Sequence, residues 1–293
     1  MTITLERPEV AAENADEVAG WESREAPRYA KRRMYHVFAS DGKALVVAMD
    51  GARNGPARGL HDPVLAVRRV VAGGADAILT TYGMARATIH ALRGRGLIVG
   101  LDGTGQLADR EDEAAGTGLA GYGVEHALRL GADAVELKVF PGNPERTRLP
   151  ELRQLAFKCE QWGLPLLAEP IPVSFQDTSA HTIENVARAA RIGAESGGDF
   201  LKVHYTGPVE EYAERVIQEC YVPVLCLGGP AKDDPVDALR ACHDAMQAGA
   251  KGIVFGRNIV TAERPDKMCE ALAEVIHGGA SVEAAARHLD RQF

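Results

Sequence analysis

Lys202 lies within an apolar run, DFLKVHY, where a buried amine could act as a nucleophile. Alternation along a strand places Lys202 on the same side as Phe200 and His204, so its side chain is expected to face the interior. Burial and a nearby cation both disfavour the ammonium form, and the resulting neutral amine can form an imine with a carbonyl compound. Lys138, in the run ELKVF, could supply that cation. The alternative for Lys202 is an ion pair with a carboxylate, or a side chain that reaches out to solvent.

Carboxylates end or interrupt other apolar runs. Asp50 ends ALVVAMD, Asp102 ends GLIVGLD, Glu169 closes GLPLLAEP, and Glu136 precedes Lys138 by two positions. Asp50 and Glu169 could transfer protons or hold sugar hydroxyls, and Asp102 and His204 are expected to contact the substrate. Asp50 and Glu169 are equally compatible with structural salt bridges to the two lysines.

Two glycine turns follow the last two apolar runs and predict an anion site. They read LGGP, with Gly228 and Gly229, and FGRN, with Gly256 and Arg257. Glycine backbone lets amide groups approach a phosphate, a helix beginning at FGRN would add a favourable dipole, and Arg257 could add a charged clamp. Ordinary tight turns would explain the glycines equally well.

The histidines do not indicate a metal site. Five of them show no paired spacing and are interpreted as surface or capping residues: His61, His90, His126, His181 and His243. Imine chemistry needs no metal and no organic cofactor, and none is expected. The segment GLDGTGQLADREDEAAG from Gly100 lacks the rest of a dinucleotide fingerprint and is interpreted as a flexible loop over the site.

A repeated signature predicts the elements that position these residues. Small residues lead directly into an apolar run at Gly74, Gly131, Gly197 and Gly249. Four further apolar runs lie between these copies, from Ala44, Gly96, Gly163 and Val222. Amphipathic stretches separate the runs, for example those from Pro63, Pro150 and Thr182. Strand and helix therefore alternate eight times, as in a closed (β/α)8 TIM barrel, whose site lies at the C-terminal ends of the strands.

The alternative architecture is an open, doubly wound sheet, but no GxGxxG follows the first strand. The predicted organisation is an N-terminal arm over 1–43, the barrel over 44–277 and a C-terminal helix over 278–293, with Ser281 as its cap. Within the arm, the basic segment 28–33 could form a solvated helix.

Composition limits the class of function. The chain has 293 residues, a formal net charge of -8 and 46% hydrophobic residues, which is compatible with a sizeable core and disfavours a nucleic-acid surface. Five cysteines without a CxxC pair indicate reduced thiols, and no run is long enough to span a membrane. A cytoplasmic protein that acts on a small molecule is expected.

Three strand ends, DFLKVHYTG, VPVLCLGGPAK and GAKGIVFGRNIVTAERP, carry a family resemblance. In order and spacing they resemble class I, Schiff-base-forming aldolases of the DeoC/LacD type. The resemblance covers roughly residues 34–277. It is closest to the group of archaeal-type fructose-bisphosphate aldolase, autoinducer-2 aldolase and aminodideoxyheptulosonate synthase. It implies that Lys202 forms the Schiff base, that Asp50 lies near the reacting carbons, and that the two glycine turns with Arg257 hold phosphate. It also implies a homo-oligomer.

Two positions depart from this family pattern. Relatives commonly have a histidine directly after the strand 1 aspartate, where this chain has Gly51, and a tyrosine acid/base at the end of strand 4, where it has Phe140. Lys138 and Glu169 resemble the strand 4 lysine and strand 5 glutamate of tagatose-bisphosphate and sulfosugar aldolases. The hypothesis is that Glu169, with Lys138, handles protons in place of the tyrosine.

The function expected from the resemblance is cleavage or formation of a carbon–carbon bond in a phosphorylated keto sugar, with dihydroxyacetone phosphate as a product. One alternative keeps the lysine but transfers an aldol or acyl unit between two substrates, as in the autoinducer-2 and heptulosonate branches. A second alternative is a barrel that has lost activity and binds a phosphometabolite.

Overall fold

The computed structural model describes residues 29–102, 122–145, 147–230 and 232–289. Within them, eight parallel strands form one closed barrel in which each strand pairs with the next and β8 pairs with β1. The strands are β1 Ala44–Ala48, β2 Ala77–Thr81, β3 Gly96–Gly100, β4 Ala134–Val139, β5 Leu166–Pro170, β6 Phe200–His204, β7 Val224–Leu227 and β8 Gly252–Phe255. The (β/α)8 barrel predicted from the repeated signature is confirmed, and closure between β1 and β8 rules out the open sheet.

Helices alternate with the strands and surround the barrel. They are α1 Met34–Val37, α2 Pro63–Ala72, α3 Tyr82–Thr88, α4 Val124–Arg129, α5 Leu149–Trp162, α6 Ile183–Glu195, α7 Val209–Tyr212, α8 Pro235–Gln247, α9 Arg257–Val260, α10 Pro265–Gly278 and α11 Val282–Ala286. Short 3-10 turns cover Asp50–Asn54, Ile89–Ala91 and Thr178–Ala180, and a π-helical turn over Ala213–Ile217 continues α7. In the described parts of the chain, no helix combines the length and apolar character needed to cross a bilayer.

Local signals explain where the longer helices begin and end. The Asp62 carboxylate accepts from the amide of Leu65 at 2.9 Å and precedes Pro63 at the first position of α2. The Thr182 hydroxyl caps α6 in the same way, by accepting from the amide of Asn185. Gly163 ends α5 in the left-handed conformation, with φ of 59°.

The N-terminal end of the barrel is closed by a plug of apolar side chains from α1. Met34, Val37 and Phe38 are buried there, and the Phe38 ring packs edge-on against Phe200 at 5.5 Å between centroids. Phe200 points inward from β6 and lies below the inward-facing polar side chains of the same strand. It forms the apolar floor of the barrel interior. The plug leaves the C-terminal end of the barrel as the place for a site.

Residues 29–33 contain no helix, so the solvated helix expected over 28–33 is wrong for the described part of that segment. Lys31 is instead buried, and its Nζ donates to Asp199 at 2.9 Å and to the carbonyl of Leu164. The structure thus ties this segment to the loops that precede β5 and β6.

Near the other end of the chain, Ser281 caps α11 through its side-chain oxygen, as the sequence predicts. Of the segment from Gly100 to Gly116 that was interpreted as a flexible loop over the site, the part from Gly103 onward lies outside the described residues.

Candidate active site

Strand register brings charged side chains of three neighbouring strands to one level inside the barrel. Lys138 of β4 is the register partner of Glu169 of β5, and Lys202 lies on the next strand, β6. Each occupies an inward-facing position above the apolar floor, because alternation repeats every second residue.

Lys202 is buried beside a carboxylate. Its side chain is 7% exposed, and its Nζ lies 3.0 Å from Oε1 of Glu169. Burial lowers the pKa of Lys202, and the charge of Lys138 adds to that effect, while Glu169 opposes it. Lys202 therefore faces the interior and is influenced by Lys138, as predicted. It also forms the ion pair with a carboxylate that was the alternative prediction.

Glu169 lies between the two lysines. Its Oε2 is 3.3 Å from Nζ of Lys138, on the side opposite the contact with Lys202. Burial alone would raise the pKa of this carboxyl, but the two lysine charges outweigh burial and lower it to about 2. Glu169 is therefore a carboxylate in the resting site.

Lys138 is the hub of the cluster. Besides Glu169, its Nζ contacts Asp50 at 3.0 Å, Asp102 at 3.1 Å and Glu136 at 2.9 Å. Burial and Arg53 act to lower the pKa of Lys138, but the surrounding carboxylates raise it above its ordinary value. Lys138 is thus an ammonium ion held in place by these contacts. The salt bridge to a lysine, which was the alternative role for Asp50, is present.

Two arginines complete the cluster and were not identified from the sequence. Arg53 donates to Asp102 at 2.7 Å and also binds Asp50, and Arg148 donates to Asp102 at 2.6 Å. Asp102 is buried, yet Lys138 and the two arginines hold its pKa far below the ordinary range. Arg53 could have been found from its position three residues after Asp50 in the 3-10 turn, whereas Arg148 precedes α5 and carries no comparable signal.

Glu136 differs from the other acids of the cluster. It is fully buried, and burial raises its pKa to about 8, assisted by the negative charges of Asp102 and Glu169 and opposed by Lys138. Its Oε1 accepts from Lys138.

His204 ends β6 above Lys202 and stacks on a second histidine. The rings of His204 and His181 are 4.1 Å apart, and burial, followed by His181, lowers the pKa of His204 to about 4. The interpretation of His181 as a surface or capping residue is therefore incomplete, because its ring packs against a predicted site residue. His126 does cap a helix: its Nδ1 accepts from the amide of Gly123 at 3.3 Å, before α4.

The two glycine turns lie next to each other because β7 and β8 pair at Leu227 and Val254. A Cβ at Gly228 would lie 2.8 Å from the Phe255 ring, and one at Gly256 would lie 2.9 Å from the carbonyl oxygen of Ala48. Gly229 has φ of 64°. Close packing and backbone conformation thus require glycine here whether or not an anion binds.

Arg257 is exposed at the start of α9, a helix of 4 residues. Asn258, in α9, links this helix to the turn at Gly228 and Gly229. Its side chain donates to the carbonyl of Gly228 at 3.0 Å and accepts from the amide of Lys232 at 2.8 Å. This amide side chain fixes the two turns relative to each other.

The two positions that depart from the family pattern are Phe140, directly after β4, and Gly51, in the turn after β1. Phe140 is buried, and its ring is 6.1 Å from Phe175, which is in turn 6.1 Å from His204. Gly51 is exposed, and a Cβ there would meet nothing within 4 Å. Neither residue can exchange a proton, so the ionisable groups available are those of the buried cluster.

A closed barrel with a buried lysine of lowered pKa, paired to a glutamate at the C-terminal strand ends, is the architecture of a lysine-dependent aldolase-type enzyme. The family model of the DeoC/LacD family aldolases matches residues 38–262. The chain belongs to this family.

Two relatives match nearly the full length. An uncharacterized aldolase of Saccharolobus solfataricus is 35% identical over 268 residues, covering 88% of this chain and 97% of the relative. The 2-amino-3,7-dideoxy-D-threo-hept-6-ulosonate synthase of Halobacterium salinarum is 33% identical over 251 residues, covering 85% and 92%.

Two solved structures of aldolases are similar to this chain over most of its length. An archaeal fructose 1,6-bisphosphate aldolase is 30% identical with a TM-score of 0.73, covering 84% of this chain and 98% of that one. An archaeal fructose-1,6-bisphosphate aldolase with its catalytic lysine covalently bound to the carbinolamine intermediate gives the same values.

Proposed function

We propose that the protein is a class I aldolase that cleaves or forms a carbon–carbon bond in a phosphorylated keto sugar through an imine on Lys202. The observation that carries the proposal is the buried Lys202 amine of lowered pKa, held 3.0 Å from Glu169. The archaeal aldolase solved with its catalytic lysine in a carbinolamine supports the same chemistry for this chain.

In the proposed reaction, neutral Lys202 attacks the ketone carbon to give a carbinolamine, which loses water to form an iminium ion. Glu169 takes the proton from the hydroxyl of the departing aldehyde as the carbon–carbon bond breaks, and the iminium accepts the electron pair of that bond to become an enamine, so the mechanism needs neither a metal nor an organic cofactor. The enamine is then protonated, and water releases dihydroxyacetone phosphate.

Glu169 is the proton-transfer residue in this proposal, because its carboxylate contacts Lys202 directly. Lys138 remains an ammonium ion that holds Glu169 and Asp50 in place and keeps the Lys202 pKa low. Asp50 and Asp102 then hold substrate hydroxyls at the strand 1 and strand 3 ends, beside Arg53.

The remote phosphate is proposed to bind at Gly228, Gly229 and Gly256, with Arg257 adding charge. His204, neutral and half-buried above Lys202, contacts the sugar chain. Binding energy from the phosphate orients the ketone carbon against the amine. This orientation lowers the entropic part of the activation barrier.

The test is reductive trapping. The protein is incubated with dihydroxyacetone phosphate, reduced with borohydride, digested and mapped by mass spectrometry. We expect an adduct on Lys202, no adduct in Lys202→Met, and an unchanged yield in the control Lys251→Met, an exposed lysine next to β8. An adduct on another lysine, or none with any phosphorylated ketone, contradicts the proposal. The second outcome favours a barrel that only binds a phosphometabolite.

A second candidate is aldol or acyl transfer between two substrates, because a heptulosonate synthase matches 92% of its length to this chain. Assaying cleavage of fructose 1,6-bisphosphate with and without an added acceptor separates the two. Release of triose phosphate without an acceptor indicates simple cleavage, and turnover that needs an acceptor indicates transfer.

The cell compartment and the oligomeric state belong to the same proposal. The described cysteines are all unpaired, which fits a reducing cytoplasm. A homo-oligomer is predicted from the resemblance alone, and light scattering of the purified protein measures it.

A further inference from the structure

Two buried carboxylate oxygens in the cluster lack a hydrogen-bond partner among the described residues, and both belong to acids that could share one proton. They are Oε2 of Glu136 and Oε2 of Glu169. The two side chains lie on neighbouring strands and both contact Nζ of Lys138, at 2.9 Å for Glu136 and 3.3 Å for Glu169. A proton on Glu136 shared with Glu169 would give both oxygens a hydrogen bond, whereas two carboxylates here would repel each other and leave Oε2 of Glu136 without a donor.

The fold makes room for this carboxyl group at the centre of the barrel. Glu136 is 0% exposed, and its Oε2 would lie 3.0 Å from a Cβ at Gly100. Any side chain at Gly100 in β3 would therefore press on this oxygen. The charged groups that act on Glu136 are Lys138 on its own strand, Asp102 after β3, Glu169 on β5 and Arg53 after β1.

The charge of the cluster leads to the same conclusion. Within the described residues, the buried acids are Asp50, Asp102, Glu136 and Glu169, and the cations that contact them are Arg53, Lys138, Arg148 and Lys202. The charges balance when Lys202 is an ammonium ion and Glu136 is ionised. A neutral Lys202, which imine chemistry requires, leaves one negative charge in excess unless one acid holds a proton. Asp50 and Asp102 contact arginine and Glu169 contacts both lysines, whereas Glu136 contacts Lys138 alone among the described pairs, so Glu136 is that acid.

We propose that Glu136 holds a proton in the resting site and releases it, through Glu169, when the imine on Lys202 becomes cationic. This inference rests on the proposed imine function. Glu136 acts only through Glu169, so it is a positioning residue that also stores a proton.

The step balances. When the carbinolamine loses its hydroxyl, the carbon–oxygen bond breaks, the nitrogen lone pair forms the carbon–nitrogen double bond, and one proton is needed to release water. Glu169 accepts a proton from Glu136 and delivers a proton to the departing hydroxyl group in the same step. The iminium gains one positive charge and Glu136 becomes a carboxylate, so the charge of the buried cluster is unchanged.

The first test needs no substrate. Infrared spectra of the ligand-free protein at neutral pH should contain the carbonyl stretch of a protonated carboxyl group, above the amide band. We expect this band to be absent in Glu136→Gln and unchanged in the control Glu283→Gln, an exposed glutamate in α11. It should also disappear when dihydroxyacetone phosphate is added to the wild-type protein. A wild-type spectrum without the band overturns the inference, even if Lys202 is trapped by borohydride.

The second test is the pH profile of the trapping rate. Glutamine reproduces the hydrogen bonds of a protonated glutamate but cannot release a proton. We therefore expect Glu136→Gln to melt like the wild-type protein but to trap roughly 10²-fold more slowly. The decline in wild-type rate on the alkaline side, centred near the Glu136 pKa of about 8, should be absent in the variant. Wild-type rate and profile in Glu136→Gln overturn the inference. Failure of the wild-type protein to form an adduct instead overturns the imine function, and the infrared band still reports on the proton.

Discussion

At the scale of single residues, the arrangement around Glu169 separates two roles that a strand lysine can have. Lys138 contacts four carboxylates and is held as a cation, whereas Lys202 contacts Glu169 alone among the described acids and has its pKa lowered. The pKa values of two residues of the same type are thus shifted in opposite directions by the number of anions around each. This difference favours Lys202 over Lys138 as the proposed nucleophile.

The replacement Glu169→Gln tests the division of roles. Removing the carboxylate takes away the group that stabilises the Lys202 ammonium ion, so we expect the adduct still to form, but more slowly because the proposed proton path from Glu136 is cut. Turnover should fall by roughly 10² to 10⁴-fold, because a positioned acid or base contributes that much. Steady-state assays and borohydride trapping, run side by side, measure both. Full turnover in Glu169→Gln, combined with loss of turnover in Lys202→Met, would show that another group transfers the proton.

At the scale of elements, the site is built from the ends of adjacent strands, and the glycine turns after β7 and β8 are the tightest part. The Cβ that would clash at Gly256 meets the backbone of β1, which cannot move without disturbing the barrel pairing. A backbone approach this close fixes the direction of the turn's amide groups.

We predict that Gly256→Ala raises KM for a phosphorylated ketone several-fold more than it changes kcat, because the new methyl group shifts the turn that is proposed to bind phosphate. The matched control is Gly163→Ala, at the left-handed C-terminus of α5 and away from the turns. That variant should lose about 1 kcal/mol of stability and keep the wild-type KM. Equal KM values in the two variants would mean that the β8 turn does not bind the phosphate.

The sequence predicts most of the elements, because their signals are local. Glycine before an apolar run marks a strand after a helix, and cap residues such as Thr182 and Ser281 mark helix starts. Strand alternation also predicts the inward direction of Lys202. The contacts of Arg148 could not be predicted in this way, since they depend on a loop that folds back over 46 positions to Asp102. The same holds for Lys31, whose partner Asp199 is 168 positions away.

At the scale of the whole molecule, the apolar plug at the N-terminal end bears on the stability of the barrel. Phe38 is buried against Phe200, directly beneath the strand that carries Lys202. We predict that Phe38→Ala lowers the free energy of unfolding by about 3–5 kcal/mol, measured by urea denaturation. The control Phe157→Ala removes a phenyl ring that is 67% exposed in α5 and should change stability by less than about 0.5 kcal/mol. Similar losses in both would show that the plug does not support the barrel.

Stability of the whole barrel should also depend on pH through His277 in α10. Its Nδ1 contacts Asp41 at 2.9 Å and its Nε2 contacts Asp76 at 3.0 Å, so one imidazole joins the chain before β1 to the chain before β2. Hydrogen bonding to Asp76 raises the pKa of His277, although burial opposes the shift.

Because the folded-state pKa is above the unfolded value of about 6.5, the stabilisation is fully present below that pH and is lost as pH rises through the folded pKa. We therefore expect His277→Asn to lower Tm most at pH 6 or below, and the difference from wild type to shrink toward pH 9. His90→Asn, which changes an exposed histidine after α3, should give a Tm difference that does not vary with pH. Thermal melts at a series of pH values measure both. A difference for His277→Asn that grows as pH rises would reverse the sign and show that the two ion pairs do not stabilise the folded barrel.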